Sequence, residues 1–261
     1  MNRTRMNLDM HDIPEAFHPL MRGAAVYDSS CSPQARVMLI DRDGGYYLKS
    51  SAKGTLQTEA EMTRYFHQLG LAAEVIAYES GERDWLLTTR VPGEDCTHED
   101  YLAQPERLCD VLGERLRMLH DMDGGDCPVQ NRMDGYRALA QQNHRAGCFD
   151  DALYFEGWRF SSAQEAWTAA QQGAHLLKND TLIHGDFCLP NVMLDRWKFS
   201  GFIDLGNGGM GDRHIDLFWG LWTLRRNLGT DRYCYRLMDA YGRERIDPDM
   251  LRVVAAFEAF G

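Results

Sequence analysis

The run His184-Gly185-Asp186-Phe187-Cys188-Leu189-Pro190-Asn191 puts a carboxylate and a carboxamide into one tight loop between two short β-like stretches, with Pro190 fixing the turn. Phosphoryl transfer to a hydroxyl needs a carboxylate that orients the nucleophile and takes its proton, with an oxygen ligand for Mg2+ close by. Asp186 and Asn191 would supply both from one rigid loop. Asp204, at the end of the apolar run Gly201-Phe202-Ile203 and before Leu205-Gly206, offers a second oxygen ligand. Mg2+ favours one or two protein carboxylates completed by phosphate oxygens and waters. Each group also has an ordinary reading. Asp186 could belong to a plain Gly-Asp turn, and Asp204 could cap one.

The spacing H-x-D-x-x-x-x-N and the Asp-x-Gly that follows it are those of kinase chemistry. A third element agrees with them. Lys49 lies in the β-rich stretch GYYLKS, and Glu59 lies on the helical stretch after it. In a kinase, a strand lysine holds the α- and β-phosphates and pairs with a helix glutamate. Only four lysines occur in the chain, which makes a lysine in a strand more informative. The alternatives are an edge-strand solubility lysine and a solvated helix face, where Glu61 competes with Glu59. No GxGxxG precedes Lys49 and no GxxxxGK[ST] occurs, so Rossmann and P-loop readings fail. The stretch Tyr27-Asp28-Ser29-Ser30-Cys31-Ser32 could cover phosphates with hydroxyl and backbone donors, or it could be a plain turn. Thr88 to Val91 would present backbone to an adenine edge.

These residues must be held by a small β-rich lobe over 1–91 and a larger helical lobe over 92–261. Strands are expected at 23–28, 35–41, 45–50, 75–80 and 85–91. Asp43-Gly44-Gly45 reads as a hairpin turn. A helix is expected from Thr55 to Leu69, capped by Thr55 or Thr58 and stopped by Gly70. Residues 1–20 read as a loose leader ending in short structure. After Pro92-Gly93 helices dominate, over 105–122, 132–147, 162–178, 213–228, 231–241 and 248–260. A β-like island at 181–186, 191–195 and 199–206 interrupts them. His184 is expected to brace its loop by hydrogen bonding. His120 is expected to end a helix, where a cation suits the dipole.

Composition narrows the partners. Asp and Glu number 39 against 28 Lys and Arg, a formal net charge of −11. Such a balance argues against nucleic acid and anionic lipid, and leaves a cationic small molecule open. No apolar run is long enough to span a membrane. Seven widely spaced cysteines without a CxxC pair fit reduced thiols in the cytoplasm.

The chain resembles the aminoglycoside phosphotransferase family, closest to its 3′-phosphotransferase branch, from about Ile13 to Gly261. The likeness is carried by TLIHGDFCLPNVML, FSGFIDLGNGGMGDRHIDL, RDWLLTTRVPGED and LRMLHDMD. It implies an α+β, protein-kinase-like two-lobe fold. The N-terminal lobe would bind nucleotide, and the C-terminal lobe would carry catalysis and acceptor. The implied activity is transfer of the γ-phosphate of ATP (GTP in some members) to a hydroxyl, the 3′-OH of an aminoglycoside antibiotic. Asp186 is then the base, and Asn191 and Asp204 hold Mg2+. Lys49 and Glu59 grip phosphates, Ser30 and Ser32 position the nucleotide, and Thr89 and Val91 give hinge contacts. Arg213 and Asp216 sit in the segment that shapes the acceptor side. Asp150, Asp151, Glu156 and Glu258 would bind amines, and Trp158, Trp219 and Trp222 could stack on sugar rings or serve as core. The chain departs from the branch at Ala259, where a second acid would follow Glu258, and at Arg225-Arg226-Asn227, where another acid is usual. These departures keep two alternatives open. One is a kinase for another antibiotic, an amino sugar or a choline-like metabolite; the other is a silent nucleotide-binding relative. The resemblance leaves monomer and homodimer equally open.

Overall fold

The computed structural model describes residues 4–6, 10–153 and 158–261. The chain divides into two compact units. The first comprises Met1–Asp95 and Met193–Gly206, the second Cys96–Val192 and Asn207–Gly261. A single cut between residues 91 and 92 would leave Met193–Gly206 downstream, whereas the structure groups that hairpin with the first unit.

The first unit contains β1 (Thr4–Arg5), α1 (His18–Met21), β2 (Ala25–Asp28), β3 (Ala35–Asp41), β4 (Tyr46–Ala52), α2 (Gln57–Gln68), β5 (Val75–Ser80), β6 (Arg83–Thr89) and β7 (Glu94–Asp95). The first six strands form one antiparallel sheet in the order β1-β2-β3-β4-β6-β5. Asp43, Gly44 and Gly45 all have positive φ and turn β3 into β4 as the sequence implied. Side chains alternate between the two faces of a strand. Met38, Ile40, Leu48 and Leu87 therefore share one face, and Ile13, Phe17 and Met21 cover it. The leader is thus not loose over this stretch: Phe17 is only 1% exposed. The opposite face carries Leu86 against Leu56 and Ala60 of the α2 region. Lys49 pairs with Leu86 in the β4–β6 register, so it faces that helix.

Helix α2 does not start on a threonine cap. The Leu56 N–H donates to the buried Asp84 carboxylate at 2.9 Å, and the Thr55 hydroxyl turns back to the Ala52 carbonyl. Tyr78 and Ser80 hydroxyls also donate to Asp84. Although burial works the other way, these hydrogen bonds, with one from the Gly54 backbone, pull Asp84 down to about 2.

The second unit contains α3 (Glu99–Leu102), α4 (Pro105–His120), α5 (Arg132–Arg145), α6 (Ala163–Gly173) and β8 (Thr181–Ile183). The chain then forms β9 (Val192–Asp195) and β10 (Lys198–Phe202), which join β7 in a sheet of order β10-β9-β7. β11 (Gly209–Gly211), α7 (Arg213–Leu228), α8 (Cys234–Tyr241) and α9 (Pro248–Glu258) complete the second unit. β11 pairs antiparallel with β8, Gly209 opposite Ile183. Helix α7 is buried around most of its circumference, from His214 and Ile215 to Thr223 and Leu224, which marks a central helix. Side chains set the helix starts: Asn131 caps α5, Ser162 caps α6, Asp212 caps α7, and Asp247 with Pro248 starts α9. Sequence patterning did not reveal β7, α3 or β11; each has four residues or fewer. No helix among the described residues is long and apolar enough to cross a membrane.

Candidate active site

Two clusters carry the residues singled out by sequence, one in each unit. In the first unit, Lys49 Nζ donates to Glu59 Oε1 and Oε2 at 2.9 and 2.7 Å, and to Asp204 Oδ1 at 2.7 Å. Asp204 reaches this point because β10 is tied to the end of α2. The Phe202 N–H donates to the Leu71 carbonyl at 2.7 Å, and the Phe202 ring meets Phe66 edge-on. Asp204 itself has a left-handed backbone, φ 61°, and its side chain is 52% exposed. Burial pulls the Lys49 ammonium down, but Glu59 and Asp204 outweigh it and leave the group above its ordinary value. Burial raises the Glu59 carboxyl, opposed by Lys49 and reinforced by Asp204.

The other sequence-predicted residues of this unit are placed as follows. Ser30 lies in the β2–β3 loop, where its hydroxyl oxygen accepts the Val37 N–H and its own N–H donates to Asp28. Ser32 is exposed in the same loop. The Thr89 N–H is taken by the Glu74 carbonyl and its hydroxyl by the Glu74 N–H. Val91 is buried just past the end of β6.

In the second unit the loop 184–191 is fixed from beneath by Asp216. Its buried carboxylate accepts the His184 and Gly185 N–H groups, both at 2.7 Å. His120 Nε2 donates to it at 3.1 Å, and the Tyr241 hydroxyl donates to His120 Nδ1. Burial lowers His120, so this histidine is a neutral strut and not the helix-end cation expected from sequence. Asp216 anchors the loop through these backbone contacts. Gly185 has φ 82°, and a Cβ there would collide with the Asn207 carbonyl. Glycine is therefore required on both counts. His184 Nδ1 accepts the Asp186 N–H, the bracing role expected of it. Asn191 Nδ2 donates to the Asp186 carbonyl at 2.9 Å and to Asp186 Oδ2 at 3.0 Å. That orientation leaves Asn191 Oδ1 free of these bonds and available to a cation.

Asp186 lines a cavity of about 390 Å³ that lies wholly within the second unit. Arg132, Tyr136, Asn207, Trp219 and Glu258 also line it. The Tyr136 hydroxyl donates to Glu258 Oε1 at 3.0 Å, and Trp219 donates to the same carboxyl. Burial pushes Glu258 up to about 7, against these two hydrogen bonds and with help from Asp186. Trp219 is half-buried and lines the cavity.

Other expected acceptor-side residues lie elsewhere. Asp150 and Asp151 are exposed and do not line the cavity; the Asp150 carboxylate caps the turn at Ala152. Glu156 lies outside the described residues. Arg213 turns to the Thr181 hydroxyl at 3.1 Å. Arg225 and Arg226 sit roughly 9–11 Å beyond Trp219 along α7 at 1.5 Å per residue; Arg226 lies over the Trp222 ring, and neither arginine lines the cavity. Sequence reading missed Arg132, Tyr136 and Asn207. No motif marks Arg132 or Tyr136, although Arg132 as a cation opening a helix was a detectable oddity, and Asn207 lies in a quoted stretch without having been singled out.

The fold is α+β and protein-kinase-like. Residues 28–255 match the phosphotransferase enzyme family. The chain belongs to that family and is a phosphotransferase with an alcohol group as acceptor. A probable aminoglycoside 3′-phosphotransferase of Lactococcus lactis subsp. lactis (strain IL1403) is 45% identical over 262 residues, covering 100% of this chain and 99% of that protein. An aminoglycoside 3′-phosphotransferase of type VIII has a similar crystal structure, with TM-score 0.79, 23% identity, and coverage of 97% of this chain and 99% of the other. An aminoglycoside phosphotransferase from Streptomyces rimosus, solved with ADP and streptomycin, matches with TM-score 0.68 and 21% identity over 97% and 99% of the two chains.

Proposed function

We propose that the chain transfers the γ-phosphate of ATP to the 3′-hydroxyl of an aminoglycoside. The observation that carries this reading is the Asp186–Asn191 loop opening into a cavity that also holds Glu258. The full-length likeness to the Lactococcus protein supports the acceptor class. Lys49, held between two carboxylates, would grip nucleotide phosphates. The Thr89 carbonyl and the Val91 backbone would meet the base edge, and Ser30 and Ser32 would lie over the phosphates. The first unit is accordingly read as nucleotide-binding and the second as acceptor-binding. An acceptor hydroxyl in the cavity would hand its proton to Asp186 as its oxygen forms the new P–O bond and ADP leaves. Such general base catalysis is worth about 10²–10⁴-fold.

Each proposed ligand, taken within its own unit, has the chemistry that Mg2+ takes: Asn191 offers an amide oxygen in the second unit and Asp204 a half-exposed carboxylate in the first, hard oxygens of the kind that magnesium combines with phosphate oxygens and waters. No group of three or more His, Cys, Asp or Glu among the described residues could form an all-protein cage. When bound, the ion would neutralise charge on the transferred group.

The test is ADP release from ATP, and separately from GTP, with kanamycin as acceptor. Wild-type protein should turn over, and Asp186→Asn should lose at least about 100-fold. Undiminished turnover in Asp186→Asn would falsify the assignment of the base. Turnover of other alcohols but not of kanamycin would remove the acceptor class and keep the chemistry.

A further inference from the structure

The cavity wall that carries Asp186 and Glu258 also carries a guanidinium. Arg132 is the first residue of α5, where the helix dipole favours anions over cations. Departures from such local rules tend to fall at functional positions. Arg132 Nη2 donates to Asn207 Oδ1 at 2.5 Å. No carboxylate among the described residues pairs with it. The nearest acid in sequence, Asp134, is engaged by Asn131 and Arg137. Burial alone lowers Arg132, with no carboxylate offsetting it. An arginine side chain still keeps its charge in a protein, with five N–H donors in a planar fork. A fixed, partly desolvated cation therefore faces the space an acceptor would occupy.

We propose that Arg132 determines acceptor specificity: its guanidinium donates to an acceptor oxygen, a hydroxyl or carboxylate, and excludes an ammonium group from its end of the cavity. The inference rests on the acceptor reading above. Bracing Asn207 would need only one neutral hydrogen bond. The remaining donors and the charge are what a ligand would sense. Like charges at close range repel strongly where water is partly excluded. The cavity should thus prefer, among related acceptors, those with fewer amines and more hydroxyls.

Paromomycin and neomycin differ by a hydroxyl against an amine at one carbon. Their binding to the full chain can be measured by titration calorimetry at pH 7.5, for wild type, Arg132→Gln and Arg132→Lys. Arg132→Gln should tighten neomycin at least tenfold and paromomycin no more than threefold. Arg132→Lys keeps the charge and should keep the wild-type ratio, which also guards against a folding artefact in the glutamine variant. A neomycin-to-paromomycin affinity ratio unchanged within twofold in Arg132→Gln overturns the proposal. If wild type binds and phosphorylates both compounds while the ratio stays fixed, only the Arg132 assignment fails. If wild type binds neither, the acceptor reading fails with it.

Discussion

Two carboxylate clusters, one in each unit, solve opposite problems. In the first unit, Glu59 and Asp204 share the single cation of Lys49, and Asp204 remains half exposed. In the second, Asp216 is fully buried and holds two backbone N–H groups and a neutral histidine. Side-chain ion pairs can be exchanged for phosphate oxygens or a metal without moving the backbone. Backbone donors cannot be exchanged without undoing the loop they belong to. The first cluster can therefore change partners, as the proposed phosphate and magnesium contacts require, and the second positions the chain. A carboxylate's role is set less by its charge than by whether its partners can leave.

Removing Asp216 should have the largest effect on stability. Asp216→Ala strands the His184 and Gly185 N–H groups and the His120 donor in a buried site. Unsatisfied buried donors cost about 1–3 kcal/mol each, and three are stranded at once. We expect urea unfolding to show a loss of about 3–5 kcal/mol, with activity falling alongside because Asp186 follows Gly185 directly. An activity loss with an unchanged unfolding midpoint would instead give Asp216 a direct part in the acceptor-side segment in which the resemblance places it.

Glu258 tests the comparison from inside the second unit. It is buried like Asp216, but its donors are only Tyr136 and Trp219. Its carboxyl is raised from 4.5 to about 7, so the folded state holds the proton more tightly than the unfolded state does. The associated stability is full below about pH 4.5 and is lost as pH rises through about 7. At 1.36 kcal/mol per pH unit the loss is at most about 3 kcal/mol. Glu258→Gln imitates the protonated form and should remove that slope. Its Tm should be higher than wild type at pH 8, with the gap closing at pH 5. Parallel Tm profiles for the two proteins would show that Glu258 is as well satisfied as Asp216.

The same distinction explains what was legible in the sequence. Lys49, Asp186, Asn191 and Asp204 stand at motif spacings, and chemistry restricts which residue types can fill them. The long strands and helices followed apolar periodicity. The two-residue strand β7 and the three-residue strand β11 are too short to show a period. The N-cap of α2 depends on Asp84, a residue distant in sequence, so local threonines misled. Ile13, Phe17 and Met21 show their role only once a sheet face exists to be covered. Arg132 and Tyr136 belong to no motif and gain meaning only from the cavity they share with Asp186. The acids at 150–151 drew attention through their charge, and they lie in an exposed turn outside the cavity that Asp186 lines.

The smallest effect should come from the exchangeable cluster. In Glu59→Gln, Lys49 keeps Asp204 as a partner at 2.7 Å, so no buried charge is left alone. The amide can still accept from the ammonium. Stability should fall by less than the about 3–5 kcal/mol of a buried pair whose remaining charge is left alone, because Asp204 stays on Lys49. Activity should respond more, because a lysine held by one acid instead of two is less well oriented toward phosphates. A rise of several-fold in KM for ATP or a fall of about tenfold in kcat would fit that role, since positioning errors act on rate without affecting the fold. An unfolding loss as large as that of Asp216→Ala would mean that Glu59 holds the chain and not the ligand, and the contrast between the two clusters would collapse.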